Sequence, residues 1–396
     1  MNPDLQKLQP YPFQRLAELF REVQPKSSYH PIRLSIGEPK HDTPQFVRDA
    51  LIGNLDGLAN YPTTIGGDTL RQAISNWLAN RYEISAPDEK TQVLPINGSR
   101  EALFSLTQTV IDRTKINPVV VCPNPFYQIY EGAALLAGAT PYFLNALPEN
   151  NFVPNFAQLP EEIRKRTQLL FVCSPDNPTG RVMTLDEWRQ LFAMSDQYGF
   201  VIASDECYSE IYFGDNKPLG ALQAASQLGR NEYQNLVVFS SLSKRSNVPG
   251  MRSGFVAGDA DIIKSFTLYR TYHGSAMNPI IQAASIAAWS DESHVAENRR
   301  QYTDKFSAVL NILKPALPVT LPEAGFYLWV PTPIADTTFA QSLYRDYNVN
   351  VLPGSYLARE INGVNPGDNF VRMALVANKE ETTEAAQRIF RFISSL

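Results

Sequence analysis

The sequence predicts an α/β fold, with a mostly parallel sheet flanked by helices and a smaller α+β unit after it. Three observations predict it. Between residues 43 and 280, apolar strand-like runs alternate with helical patterns, as in a parallel sheet covered on both faces. After about residue 285 the alternation gives way to one long polar helix pattern and a group of short strands. Finally, three apolar runs in the first part end in a polar residue, and an open α/β sheet binds its ligands at the carboxyl ends of its strands.

In chain order, a first helix is predicted over 13–23, with Phe13, Leu16 and Phe20 on one face. Residues 32–36 read as a short strand, followed by the loop Gly37-Glu38-Pro39-Lys40-His41. Thr43-Pro44 reads as an N-cap with proline at the first helical position. Tyr61-Pro62 and Gly66-Gly67-Asp68 lead into a helix that starts near Leu70. After the apolar run 93–96, Gly98-Ser99-Arg100 opens a helix with Leu103, Leu106 and Val110 on one side. The clearest helix is 184–198. Thr184 and Glu187 have capping-box spacing, Trp188, Leu191 and Phe192 share a face, and Gly199 ends it. Runs 169–173, 200–202 and 236–239 read as buried strands. In the last part, 293–313 reads as a helix, 324–330, 349–352 and 369–375 as strands, and a helix closes the chain.

Composition sets bounds on function. The 396 residues are 44% hydrophobic and 19% charged, an ordinary globular balance. A net charge of −5 and the lack of any basic run speak against nucleic acid or an anionic membrane as a partner. The first residues carry no apolar signal core, and no stretch reaches the roughly 18 apolar residues of a membrane span. Cys122, Cys173 and Cys207 each follow an apolar run without Cys-x-x-Cys spacing, which fits a reducing, cytoplasmic setting. The histidines His30, His41, His273 and His294 lack metal-ligand spacing, so no metal site is expected.

The chemistry lies at the strand ends. Lys244 stands in Ser241-Leu242-Ser243-Lys244, directly after the run 236–239, and Arg252 follows eight residues later. A lysine there suits a Schiff base with a phosphorylated aldehyde. Hydroxyls and a guanidinium beside it suit the phosphate. By itself this stretch also reads as an exposed loop lysine. Asp205, in Ser204-Asp205-Glu206-Cys207-Tyr208, ends another run, and a carboxylate so placed needs a partner. A protonated pyridine nitrogen would be one, and the pairing strengthens pyridoxal phosphate (PLP) as an electron sink. Tyr208 and Asn177, the latter held extended between Pro175 and Pro178, can reach the phenolic oxygen of the same ring. An ordinary turn is the plain alternative for Asn177.

Together these three motifs resemble the class I/II aminotransferases of PLP fold type I, from about residue 32 to the C-terminus. The stretches 241–255 and 272–279 resemble N-succinyldiaminopimelate aminotransferases in particular. The resemblance implies a large domain over 46–284 and a small one from 1–45 and 285–396. It implies phosphate contacts from Ser99 and the Arg100 backbone at a helix start, where free N–H groups favour an anion. It places Tyr127, rather than Phe126, against the cofactor ring, and Tyr61 at the phosphate of a neighbouring subunit. It gives Arg372, flanked by Val371 and Met373, the substrate α-carboxylate, with Gly37 in a loop beside it. Core packing for Tyr127, a surface turn for Tyr61 and a turn glycine for Gly37 are the plain alternatives.

The expected protein is thus a cytoplasmic homodimer with shared active sites and pyridoxal 5'-phosphate as cofactor. It would exchange an amino group between N-succinyl-L,L-diaminopimelate and 2-oxoglutarate. Lys40 is the first candidate for the distal carboxylate, with Arg100 second and a solvated loop lysine as the plain reading. Aminotransferases for aspartate, aromatic or alanine-like donors, and a PLP-dependent β-lyase, would use the same residues. A ligand-sensing regulator would carry a DNA-binding domain, for which there is no room before residue 32.

Overall fold

The computed structural model describes residues 1–396. Its strands are β1 (Ile32–Arg33), β2 (Val93–Ile96), β3 (Val119–Asn124), β4 (Thr140–Asn145), β5 (Thr167–Cys173) and β6 (Val201–Asp205). They continue with β7 (Leu236–Ser241), β8 (Gly254–Gly258), β9 (Tyr327–Pro331), β10 (Val349–Asn350), β11 (Leu352–Pro353) and β12 (Phe370–Ala374). The central sheet has the order β2-β8-β7-β6-β5-β3-β4. Its pairs are parallel except that β8 runs antiparallel to both β7 and β2.

The near-continuous apolar character of these strands follows from burial on both faces. Successive side chains alternate between two separate cores. Leu170, Val172, Ile202 and Val238 pack on one face. Leu169, Phe171, Ala203, Val237 and Phe239 pack on the other. The helix Leu185–Tyr198 keeps its expected ends, with the Thr184–Glu187 capping box formed and Gly199 in the left-handed region.

A third core lies under the antiparallel sheet β11-β12-β9. The helices Ser293–Leu313, Asp336–Tyr347 and Lys379–Ile393 contribute to it. The first strand joins this region, because β1 pairs in parallel with β10, and the helix Pro12–Phe20 packs on Asp336–Tyr347.

Some element limits differ from the sequence expectation. The first helix stops at Phe20, with Arg21 as its C-cap, and not at Val23. The run 32–36 is a strand for only two residues, because the chain then turns to pass along β12, where Ala374 N–H donates to Leu34 O at 2.6 Å. Pro44 is the cap residue rather than the first helical one, and Thr43 instead donates its hydroxyl to the Asn247 carbonyl at 3.1 Å. Residues 349–352 are split between β10 and β11 at Val351.

Candidate active site

A cavity of about 990 Å³ opens at the carboxyl ends of β5, β6 and β7, against β12 and the Gly37 loop. Parallel pairing sets Cys173 beside Asp205 and Asp205 beside Phe239, so three strand ends reach the same level. Lys244, Asp205, Tyr208, Asn177, Arg372 and Arg252 all line this space. So do Ser99, Arg100, Tyr127, Ser241 and Gly37.

Lys244 owes its position to a turn. At the end of β7, Ser241 Oγ accepts from Ser243 N–H at 3.0 Å and caps the short helix Leu242–Arg245. The ammonium donates to the Gly37 carbonyl at 2.5 Å. Burial lowers the Lys244 pKa to about 8, with Arg372 and Arg252 adding to the effect against Cys207 and Glu38. Gly37 has no room for a side chain, since a Cβ there would collide with the Tyr327 hydroxyl.

One end of the cavity is rich in anion donors. Gly98, at φ +83°, precedes Ser99, the first residue of the helix Ser99–Val110. Gly98 is therefore the N-cap, and the Ser99 hydroxyl lies near Cys207 Sγ at 3.2 Å. Arg252 has a left-handed backbone, φ +53°, and its Nη1 donates to Pro249 O at 2.8 Å. Its guanidinium lies over Gly98, where a Cβ would displace it.

Asp205 is 5% exposed. Its oxygens accept from Tyr130 OH at 3.0 Å and from Cys207 N–H at 3.3 Å, and no cationic side chain pairs with it. Burial raises its pKa against these bonds. Tyr130 stacks on Phe171, with centroids 4.3 Å apart, which fixes the hydroxyl. On the opposite wall, Arg372 donates to Asn177 Oδ1 at 2.9 Å and to Ser35 O at 2.9 Å. Its guanidinium lies 4.3 Å over the Tyr327 ring, and its buried Nε has no partner. With Asn177 Oδ1 turned to Arg372, the Nδ2 donors stay available. The Tyr208 hydroxyl is 3.0 Å from that of Tyr327, and burial raises its pKa well above the ordinary tyrosine value.

Tyr127 lines the cavity and accepts from Arg100 Nε at 2.6 Å, whereas Phe126 is packed in the core against Phe143. Tyr61 is fully exposed and does not line the cavity of its own chain. Lys40 does not line it either. The Lys40 ammonium is exposed and paired with Glu38, two residues away, and Glu38, unlike Lys40, is among the residues that line the cavity. The local partner takes up the flexible lysine, whereas Arg100 lines the cavity.

Tyr130 and Tyr327 escaped the sequence reading because their partners lie 75 and 119 residues away. Tyr130 stands only three residues after Tyr127, in the helix Ile129–Leu136, and that proximity was the available signal for the first.

The residues fit PLP. Ser99, Ser241 and Arg252 suit a phosphate, the unpaired buried Asp205 suits a protonated ring nitrogen, and Lys244 is the only lysine that lines the cavity. No cluster that could hold a metal is present, and no helix is long and apolar enough to cross a membrane.

Comparison with known proteins agrees. The family profile "Aminotransferase class I and II" matches residues 29–389. An LL-diaminopimelate aminotransferase of Syntrophobacter fumaroxidans is 31% identical over 399 residues, covering 97% of each chain. The crystal structure of an aminotransferase from Neisseria meningitidis is 52% identical, with a TM-score of 0.96, and covers 99% of this chain and 100% of its own. That of aminotransferase AspB from Helicobacter pylori is 34% identical, with a TM-score of 0.91 over 98% of this chain and 100% of its own. With that cavity and these relatives, the chain belongs to the class I and II aminotransferases, PLP-dependent transaminases of fold type I that act on small amino and 2-oxo acids.

Proposed function

We propose that the protein transfers an amino group between N-succinyl-L,L-diaminopimelate, or its keto form, and 2-oxoglutarate or glutamate. The observation that carries this reading is a third guanidinium in the cavity, beyond Arg372 and Arg252. Arg100 spends Nε on Tyr127 and keeps both terminal nitrogens without a partner in the chain. Each of the two substrates carries an α-carboxylate and a distal carboxylate. Arg372 suits the first and Arg100 the second, since a planar fork grips a carboxylate bidentately. The diaminopimelate backbone is supported by the 30–31% identical LL-diaminopimelate aminotransferases.

Within this reading, Ser99, the Arg100 backbone, Ser241 and Arg252 would hold the phosphate. Tyr127 would lie against the ring, Asn177 and Tyr208 would donate to the phenolic oxygen, and Asp205 would pair with the ring nitrogen. Bound PLP supplies an electron sink beside the substrate α-carbon. Lys244 Nζ, with its pKa near 8, is neutral often enough at neutral pH to take the α-proton as a general base. Arg372 orients the α-carboxylate, with Gly37 in the loop beside it.

We also infer a cytoplasmic homodimer with large domain 46–284 and small domain 1–45 plus 285–396. In that dimer, exposed Tyr61 would reach the partner's phosphate. The Glu38 carboxylate supports a second substrate reading, in which the free distal ammonium of L,L-diaminopimelate replaces the succinyl group. The comparison of kcat/KM for N-succinyl-L,L-diaminopimelate and L,L-diaminopimelate tests the choice. Preference for the free diamine would sink the first reading.

Three further outcomes are expected. Arg372→Ala lowers kcat/KM for every donor, since losing a charge-assisted contact costs about 1.5–3 kcal/mol, or roughly ten- to hundredfold. An effect confined to one donor would show that Arg372 reads a side chain. Arg100→Ala weakens dicarboxylate substrates far more than alanine-like ones, while Lys40→Ala leaves both near wild type. The reverse ranking would return the distal role to Lys40. Finally, mixed dimers of Lys244→Ala and Tyr61→Phe regain partial activity, because one site then holds both lesions and the other neither. No recovery in verified heterodimers would place Tyr61 outside the partner's site.

A further inference from the structure

Asn298 stands on the helix Ser293–Leu313, outside the cavity lining, and is 2% exposed. Its side chain makes four hydrogen bonds. Nδ2 donates to the carbonyls of Lys244 at 3.2 Å and Arg245 at 3.4 Å. Oδ1 accepts from Asn247 Nδ2 at 3.1 Å and meets His41 Nδ1 at 2.7 Å. The amide orientation follows from chemistry, because two carbonyls can only accept, so the nitrogen must face them. The oxygen then faces His41, which must carry its proton on Nδ1.

His41 suits that role. Burial first, and the Lys305 cation next, lower its pKa to about 4, so it is neutral. Its Nε2 is buried without a partner, as an unprotonated nitrogen can be at lower cost than an N–H. The ring is held 4.6 Å from that of Tyr302.

The two segments joined at Asn298 meet again at one atom. His41 ends the loop that starts at Gly37, and the Gly37 carbonyl accepts from Lys244 Nζ at 2.5 Å. The other segment is the backbone of Lys244 itself. The contacts close a ring: Lys244 Nζ to Gly37, along the loop to His41, across to Asn298, and back to the Lys244 carbonyl. Displacing any member moves the amine relative to the groups that face it.

We propose that Asn298 is a positioning residue for Lys244, holding the lysine segment and, through His41, the loop opposite the amine. This rests on Lys244 being the cofactor-binding and proton-transferring lysine. A substitution at Asn298 removes none of the factors that set the Lys244 titration, which are its burial and its neighbours Cys207, Arg372, Glu38 and Arg252. A shift in its titration therefore reports displacement of the amine.

Wild type, Asn298→Ala and His41→Ala are compared by two readouts. The PLP-loaded enzymes give kcat and KM. The apo-proteins give the pH midpoint for modification of the Lys244 peptide by trinitrobenzenesulfonate. In Asn298→Ala, kcat falls by about 10²-fold with KM little changed, the scale of effect expected when a reacting group is misplaced. The midpoint moves up toward that of an exposed lysine. His41→Ala shifts both in the same direction by less. A lower melting temperature with kcat and midpoint unchanged overturns the proposal. If Asn298→Ala does not fold, His41→Ala decides by the same two readouts. Borohydride mapping of the wild type separates the premises: a pyridoxyl adduct away from Lys244 defeats the lysine assignment, whereas an adduct on Lys244 with unaffected variants defeats only the role of Asn298.

Discussion

Lys244→Ala is expected to abolish transamination while leaving the fold intact. A general base contributes about 10²–10⁴-fold, and in the proposed role the same amine would also anchor the cofactor, so the loss should meet or exceed that range. No other lysine lines the cavity to replace it. The fold should survive because the side chain is held by one hydrogen bond, to Gly37, and its removal relieves both the burial of an ammonium and its repulsion from Arg372 and Arg252. Borohydride reduction of the wild type, followed by peptide mapping, should place the pyridoxyl adduct on Lys244, and an adduct elsewhere would overturn the assignment. The depressed pKa adds a pH signature. The neutral amine is the nucleophile, so PLP incorporation into apo-enzyme should accelerate as pH rises through about 8 and level off well below the usual lysine range. A rise that continues past about pH 10 would show that Lys244 is not perturbed.

Asp205→Asn is the second large effect. An amide cannot stabilise a positive ring nitrogen. Breaking a buried pair from one side costs about 3–5 kcal/mol, or roughly 10²–10⁴ in rate. The apo-protein should move the other way. Burial raises the folded pKa of Asp205 above its unfolded value, so the unfolded state gives up its proton at lower pH. Stability linked to this group is therefore present at low pH and lost as pH rises through the folded pKa. At neutral pH the carboxylate is a net cost, which the amide removes. The amide oxygen of the variant can still accept from Cys207 N–H, and Tyr130 can turn its hydroxyl to accept from the new NH₂ group. Apo Asp205→Asn should thus melt no lower than wild type while its turnover collapses. Near-normal turnover would refute the electron-sink role, and a large drop in apo melting temperature would mean that Asp205 is structural.

The parts of this protein that were legible in the sequence are those set by nearest neighbours. Apolar runs located β2, β5, β6 and β7, and Thr184, Glu187 and Gly199 marked both ends of their helix, because caps act within one turn. The helix Ser293–Leu313 was likewise found at its observed limits. Asn177, Asp205 and Lys244 could be picked out because each lies at or just after the end of an apolar run, and parallel pairing brings such ends to one edge.

Tertiary structure decided what those residues touch. Arg372 meets Asn177 across 195 residues, and Lys244 meets Gly37 across 207. Asn298, 257 residues from His41, joins two of these segments. No periodicity encodes such partners, because they depend on how three separate cores pack. Lys40 shows the same limit at short range. As a sequence position it offered a cation to a distal carboxylate, but in the folded loop its ammonium pairs with Glu38 and the residue lies outside the cavity lining. Sequence by itself determined the strand order's raw material and the chemical identity of the strand-end groups, since both follow from local pattern and residue type. The pairing of those groups, and so the electrostatic state of Lys244, Asp205 and Arg372, came only with burial, which removes water and makes each distant neighbour count.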